Sequence, residues 1–160
     1  MRRIGALFVG LTMVAATVSA FAQTATEARP SLSPLGRWRT FDPDGHELRS
    51  IVVIAAVGDE LQGKVVERFP PPGDPTHGIC GACSGELKDQ PILGMTLLRH
   101  LRKHGDGWDG GSIVDPTTGK TYSVEAELAN GGQELHLRGY VGISLFGQTR
   151  TWVRDTSGSH

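Results

Sequence analysis

The sequence predicts an all-β fold, a small antiparallel up-and-down barrel of about eight strands. Three observations predict it. The chain holds 22 Gly and 9 Pro in 160 residues, so turn formers recur at intervals too short for a helical fold. Between them, apolar and polar residues alternate at a spacing of two, as on a half-buried strand, rather than at the period of about 3.6 of a helix. Only one connection is long. A two-sheet sandwich, the competing architecture, more often needs long crossovers between its sheets.

The elements follow in order. Arg37 to Phe41 is a first strand, ended by the turn sequence Asp42-Pro43-Asp44-Gly45. Ser50 to Val57 is almost wholly apolar, the pattern of a strand covered on both faces. Gly58-Asp59 then turns into a β-like run from Leu61 to Phe69. Residues 70–93 break the rhythm with Pro70-Pro71-Pro72-Gly73, Pro75, both cysteines and Pro91. A connection of that length is usually functional or a covering element. The meander resumes with Met95 to Lys103, Gly107 to Val114, Lys120 to Leu128, Glu134 to Val141 and Gln148 to Arg154. Gly105-Asp106-Gly107, Asp115 to Gly119 and Asn130-Gly131-Gly132 join them, Asn-Gly being a hairpin signal. Alternation is clearest where Tyr122, Val124, Ala126 and Leu128 oppose Ser123, Glu125 and Glu127.

The N-terminus carries the three parts of a cleavable secretory signal. Met1-Arg2-Arg3 is basic, Ile4 to Val18 is apolar, and Ala20-Phe21-Ala22 gives the small-x-small pattern before the cut. The apolar run is near the short limit of about 17–25 residues for a spanning helix, which makes a membrane anchor the weaker reading. The expected organisation is a signal peptide at 1–22, a flexible leader at 23–34, one barrel domain at 35–156 and a disordered tail at 157–160. A periplasmic or secreted protein follows. Loss of Arg2 and Arg3 from 16 basic residues against 17 acidic ones leaves a charge near −3 with His neutral. So mild an acidic excess gives no footprint for nucleic acid or anionic lipid, and no stable membrane insertion is expected.

Chemistry-bearing motifs are few. Cys80-Gly81-Ala82-Cys83 admits three readings: a structural disulfide, a redox-active dithiol, or two thiolates of a metal site with His77. Redox dithiols normally sit beside a βαβ pattern and closed zinc sites need four ligands; this chain offers neither. An oxidising compartment favours the disulfide. His100 and His104 share a face with Arg102 between them, a solvated surface rather than a cation site. Ser84 lacks a nucleophile elbow, Asp115 to Lys120 lacks the earlier glycine of a phosphate loop, and Glu125 and Glu127 sit on the polar side of an amphipathic strand. No catalytic residue, metal or cofactor is assigned.

Trp38 near the start and Arg154 near the end bracket the domain. If a barrel closes, their strands become neighbours, and the arginine can lie on the indole for about 0.5–2 kcal/mol. The plainer reading makes Trp38 and Trp152 ordinary core aromatics.

Trp38, Gly63-Lys64, Cys80-x-x-Cys83, Gly94, Trp108-x-Gly110-Gly111, Asp115-Pro116-x-x-Gly119-Lys120-x-Tyr122, Arg138-Gly139-Tyr140 and Trp152-x-Arg154 follow one another along the chain. Together they resemble the exported bacterial domain-of-unknown-function family 2147, over roughly residues 35–155. Gly36-x-Trp38 with the late arginine resembles the closure device of lipocalins. The resemblance implies a lipocalin-like β-barrel and carries over no catalytic residue or ligand.

Three functions compete. The first is binding of a small apolar or amphiphilic ligand inside the barrel, with Met95, Leu97, Tyr122, Val124, Leu135 and Leu137 as candidate lining. The same residues would equally fill a dry core. The second is thiol–disulfide exchange at Cys80 and Cys83, and the third an envelope interaction through the 70–93 loop.

Overall fold

The structure, a computed structural model, describes residues 33–157. The expected signal peptide, and all but Ser33, Pro34 and Ser157 of the expected leader and tail, lie outside the described residues. Eight strands follow in order: β1 Gly36–Phe41, β2 Leu48–Val57, β3 Glu60–Arg68, β4 Thr96–His104, β5 Gly107–Val114, β6 Thr121–Ala129, β7 Glu134–Tyr140 and β8 Gln148–Arg154. Each pairs antiparallel with the next, and β8 returns to β1, so the sheet closes into an up-and-down barrel. Closure leaves no free sheet edge.

The local chemistry explains the hairpins. In the β1–β2 turn, Asp42 Oδ1 accepts the backbone N–H groups of His46 and Glu47 at 2.8 and 3.1 Å, a local side-chain-to-backbone contact that closes the turn. Alternation then sorts side chains to two faces. Trp38, Val52, Ile54, Leu98, Leu101, Val124, Leu135, Leu137 and Trp152 face inward and form one buried cluster. One expectation needs correcting. β2 is not covered on both faces, because its outer residues Ala55 and Val57 are exposed and only Ile51 is buried there. Its apolar run comes from strand propensity on the outside as well as from the core inside.

The closing ladder is the shortest. β1 and β8 pair only at Trp38–Arg154 and Arg39–Val153, whereas β7 and β8 pair continuously from Glu134–Val153 to Gly139–Gln148.

Candidate functional site

The two ends of the barrel are built differently. At one end lie the start of β1, the end of β8 and the three short hairpins. Trp38 is fully buried there and donates its indole N–H to the Pro34 carbonyl at 2.7 Å. The Arg154 guanidinium sits 4.2 Å from the Trp38 ring centre. It also donates to the carbonyls of Gly132, Leu35 and Ser33 at 2.7, 3.0 and 2.8 Å. Partial burial pulls its pKa below the usual guanidinium value without threatening its charge. Gly36, at φ +116°, passes beneath it; a Cβ there would stand 3.3 Å from Arg154 Nη1. Beside this plug, buried Asp155 accepts from Arg37 and Arg39 at 3.0 and 3.3 Å and from the Ser157 hydroxyl at 2.6 Å. Ser157 chiefly, then Arg37, hold its carboxyl down at about 2 against the opposing push of burial. This end is shut.

The other end carries the connections 42–47, 69–95, 115–120 and 141–147. Its inner wall follows from the register. Arg150 stands opposite buried Leu137 and two residues from buried Trp152, so it belongs to the inner face. By the same rule Gln148 and Gly139, opposite each other, face in, since Gly139 is also opposite buried Val124. Tyr122, two residues from Val124, joins them, as do Thr40 and Ser50, two pairs beyond Trp38–Val52. Thr40 and Ser50 share a hydrogen bond of 2.7 Å. Arg150 faces inward and is nevertheless exposed, and Ser50 and Tyr122 are half-exposed. Inward side chains that meet water make this the less tightly closed end of the barrel. Beneath this polar collar lies the apolar floor of Val52, Leu98, Val124 and Leu137.

The inward glycines mark where space is left. A Cβ on Gly63 would meet Leu98 and Val52 at 3.0 and 3.1 Å, and one on Gly111 would meet Leu101 and Val124 at 2.9 and 3.0 Å. Those positions are filled by their neighbours. A Cβ on Gly139, in the mouth, meets only Tyr122, at an ordinary 3.7 Å.

The long connection docks on the barrel rather than hanging free. Cys80 and Cys83 are joined in a disulfide. With Met95 and Val114, and Leu87 and Leu97 at the margin, they form a second buried cluster. Gly119, at φ +71°, lies under the loop so closely that a Cβ would fall 1.9 Å from the Ala82 carbonyl oxygen. Ile92 reaches into the main core. Arg68, on the inner face opposite Ser50, donates to Asp74 at 2.9 Å. The Thr76 hydroxyl first, then Arg68, hold Asp74 down at about 2 while burial opposes them.

This placement corrects the proposed lining. Met95 packs in the cluster under the loop, and Leu97, beside inward Leu98, lies on the opposite face and bridges the two clusters. The irregular β3–β4 register lets Leu98 and Leu101 supply the inner face of β4 in their place. Tyr122 is on the inner wall of the mouth, Val124 and Leu137 are in its floor, and Leu135 lies deeper, opposite Trp152. The cysteine sulfurs are shut away, Cys80 fully and Cys83 at 5 % exposure. An attacking thiolate has no approach, so the geometry lends exchange no support.

A separate groove of about 340 Å³ runs along the outer wall, lined by His104, Asp109, Glu125, Glu127, His136 and Arg138 among others. Its polar side chains have partners close by: His104 meets Asp109 at 2.7 Å, His136 meets Glu134 at 3.2 Å, and Arg138 meets Glu125 at 3.8 Å. His100 likewise pairs with Glu60 at 2.7 Å. Among the described residues no group of three or more His, Cys, Asp or Glu is arranged to hold a metal ion, and no helix is long and apolar enough to cross a membrane.

The residues that sequence reasoning missed are Thr40, Ser50, Gln148 and Arg150. Alternation back from Trp152 would have placed Arg150 on the inner face, but nothing in the sequence shows that the barrel opens at that end.

Comparisons with known proteins agree with the fold. A family model described as "Uncharacterized protein conserved in bacteria (DUF2147)" matches residues 36–154. No curated protein matches the chain. Among solved structures the chain is similar to one described as "Protein HP1028 from the human pathogen Helicobacter pylori belongs to the lipocalin family". The TM-score is 0.66 at 19 % identity, over 79 % of this chain and 86 % of that one. At that identity the likeness concerns the barrel alone.

Proposed function

The chain belongs to the bacterial family DUF2147, and on that premise we propose that it is an exported, lipocalin-like binding protein holding a small amphiphilic molecule at the open end of its barrel. The observation that carries this reading is the mouth itself: a hydrogen-bonding collar of Thr40, Ser50, Tyr122 and Gln148 above an apolar floor. Ligand sites combine mostly apolar walls with a few convergent polar groups in this way. The barrel below is occupied by Trp38, Trp152 and Leu135, so the ligand sits in the mouth and not in a deep calyx. Export rests on the signal pattern of Met1 to Ala22.

The test uses the exported mature protein and the neutral amphiphilic dye N-phenyl-1-naphthylamine. Saturable one-to-one binding is expected. Gly139→Leu, which places a side chain in the space beside Tyr122, should abolish it while the melting temperature changes little. Absence of saturable binding to the parent protein would sink the proposal.

A further inference from the structure

The mouth also carries a charge that no carboxylate among the described residues answers. Its inner wall presents two arginines. Arg68 is neutralised by Asp74 at 2.9 Å. Among the described residues Arg150 has no carboxylate within 4.0 Å; its guanidinium donates to the Pro43 carbonyl at 2.8 Å and to Gln148 Oε1 at 3.4 Å. A carbonyl and an amide satisfy part of the N–H fork and leave the charge uncompensated. The two other described arginines without a carboxylate partner differ in place. Arg154 is saturated by three carbonyls at the shut end, and Arg99 lies on the outer face next to inward Leu98.

Resting on the proposal that the mouth binds an amphiphile, we infer that the ligand bears an anionic carboxylate head, seated on Arg150, with a single short apolar chain. The head group lies beside the Thr40–Ser50 pair and Gln148, which add neutral hydrogen-bonding groups but no competing negative charge. Charge-assisted bonds from a guanidinium fork to a carboxylate are roughly twice as strong as neutral ones, and the planar fork matches the planar acid. The chain runs into the space that Gly139 leaves beside Tyr122, over Leu137 and Val124. The rim beyond it is apolar as well. The 141–147 connection exposes Val141, Ile143, Leu145 and Phe146, the last at 80 %. Arg138 donates to the Ser144 and Leu145 carbonyls at 2.7 and 3.0 Å and holds this connection to the outer wall, clear of the mouth. No acidic residue falls between Glu134 and Asp155, so β8 itself brings no negative charge to the head group; in the neighbouring 42–47 connection Asp42 is engaged by Arg49 and by the His46 and Glu47 N–H groups, and Asp44 is exposed to water.

The experiment is isothermal titration of the mature protein with decanoate below its micelle concentration, decan-1-ol and acetate. Decanoate should bind about tenfold more tightly than decan-1-ol, and acetate, which has the head without the chain, should not bind measurably. Arg150→Gln should lower decanoate affinity about tenfold and leave decan-1-ol unchanged, while Arg150→Lys, which keeps the charge, should recover part of the loss. Equal affinity for acid and alcohol, or decanoate binding untouched by Arg150→Gln, overturns the head-group assignment and leaves the mouth as a binding site. Acetate binding as tightly as decanoate overturns the chain. If neither decyl compound binds, the site itself is refuted.

Discussion

Replacing Arg154 with alanine tests whether one side chain holds the barrel shut. The substitution removes three hydrogen bonds from a charged donor, to Gly132, Leu35 and Ser33, and the stacking on Trp38 at 4.2 Å. Bonds to charged groups contribute about 1.5–3 kcal/mol each when dry, and the stack about 0.5–2 kcal/mol. Arg154 is only partly buried, and its three carbonyl partners can turn to water, so the expected total is about 3–5 kcal/mol. Against a domain stability of about 5–15 kcal/mol that is a large share. It corresponds to a melting temperature lower by roughly 10–20 °C. Urea unfolding at 25 °C, followed by far-ultraviolet circular dichroism, measures it directly. Arg154→Lys keeps the charge over Trp38 but cannot reach three carbonyls at once, and should recover less than half of the loss. A double-mutant cycle with Trp38→Phe should return a coupling of about 0.5–2 kcal/mol. A loss below about 1 kcal/mol for Arg154→Ala, or full recovery by lysine, would refute the reasoning.

Acid should destabilise the domain in a defined window. In the folded domain the Asp155 and Asp74 carboxyls are held down at about 2, below their ordinary 3.8. Their contribution is therefore complete above about pH 4 and lost as the pH falls toward 2. Asp155→Asn should be less stable than the parent at pH 7 and show a shallower decline between pH 4 and 2 in the same urea assay. Gly119→Ala forces a Cβ into the Ala82 carbonyl at a positive φ; limited proteolysis should then cut within residues 70–93, where the parent resists. Replacing Cys80 and Cys83 together by alanine should cost about 2 kcal/mol, the chain-entropy value for so small a ring, and leave the barrel's circular dichroism intact. Intact-mass measurement of the exported protein should place its first residue at Gln23; retention of Met1 would refute cleavage.

All eight strands were legible because turn chemistry and a spacing of two are local signals. Their ends fall within a residue or two of the expected ones; Gly107–Val114 and Gln148–Arg154 coincide with them. Facing was harder. The inward set on β4 skips from Leu98 to Leu101 through an irregular pairing with β3, while Met95 and Leu97 belong to a cluster made by a loop whose path no periodicity encodes. Arg150 escaped notice for a related reason. An arginine two residues from a tryptophan reads as surface unless the strand is known to reach an unfilled mouth. Cys80 and Cys83 could be paired from compartment alone, but their burial against Met95 and Val114 depends on the tertiary path of the loop.

The brief β1–β8 ladder also sets the order in which the molecule can be assembled. The other pairings join neighbours in the chain and can form as the polypeptide emerges. The pairing of Trp38 with Arg154 brings together the two ends of the domain, and it carries the largest loop-closure entropy. Until Arg154 has paired with Trp38, the chain is an open sheet with β1 and β8 as bare edges, the form most prone to pair with a second copy. The last strand made is thus the one that ends the hazard, and a chain truncated before Arg154 should persist as an aggregating sheet.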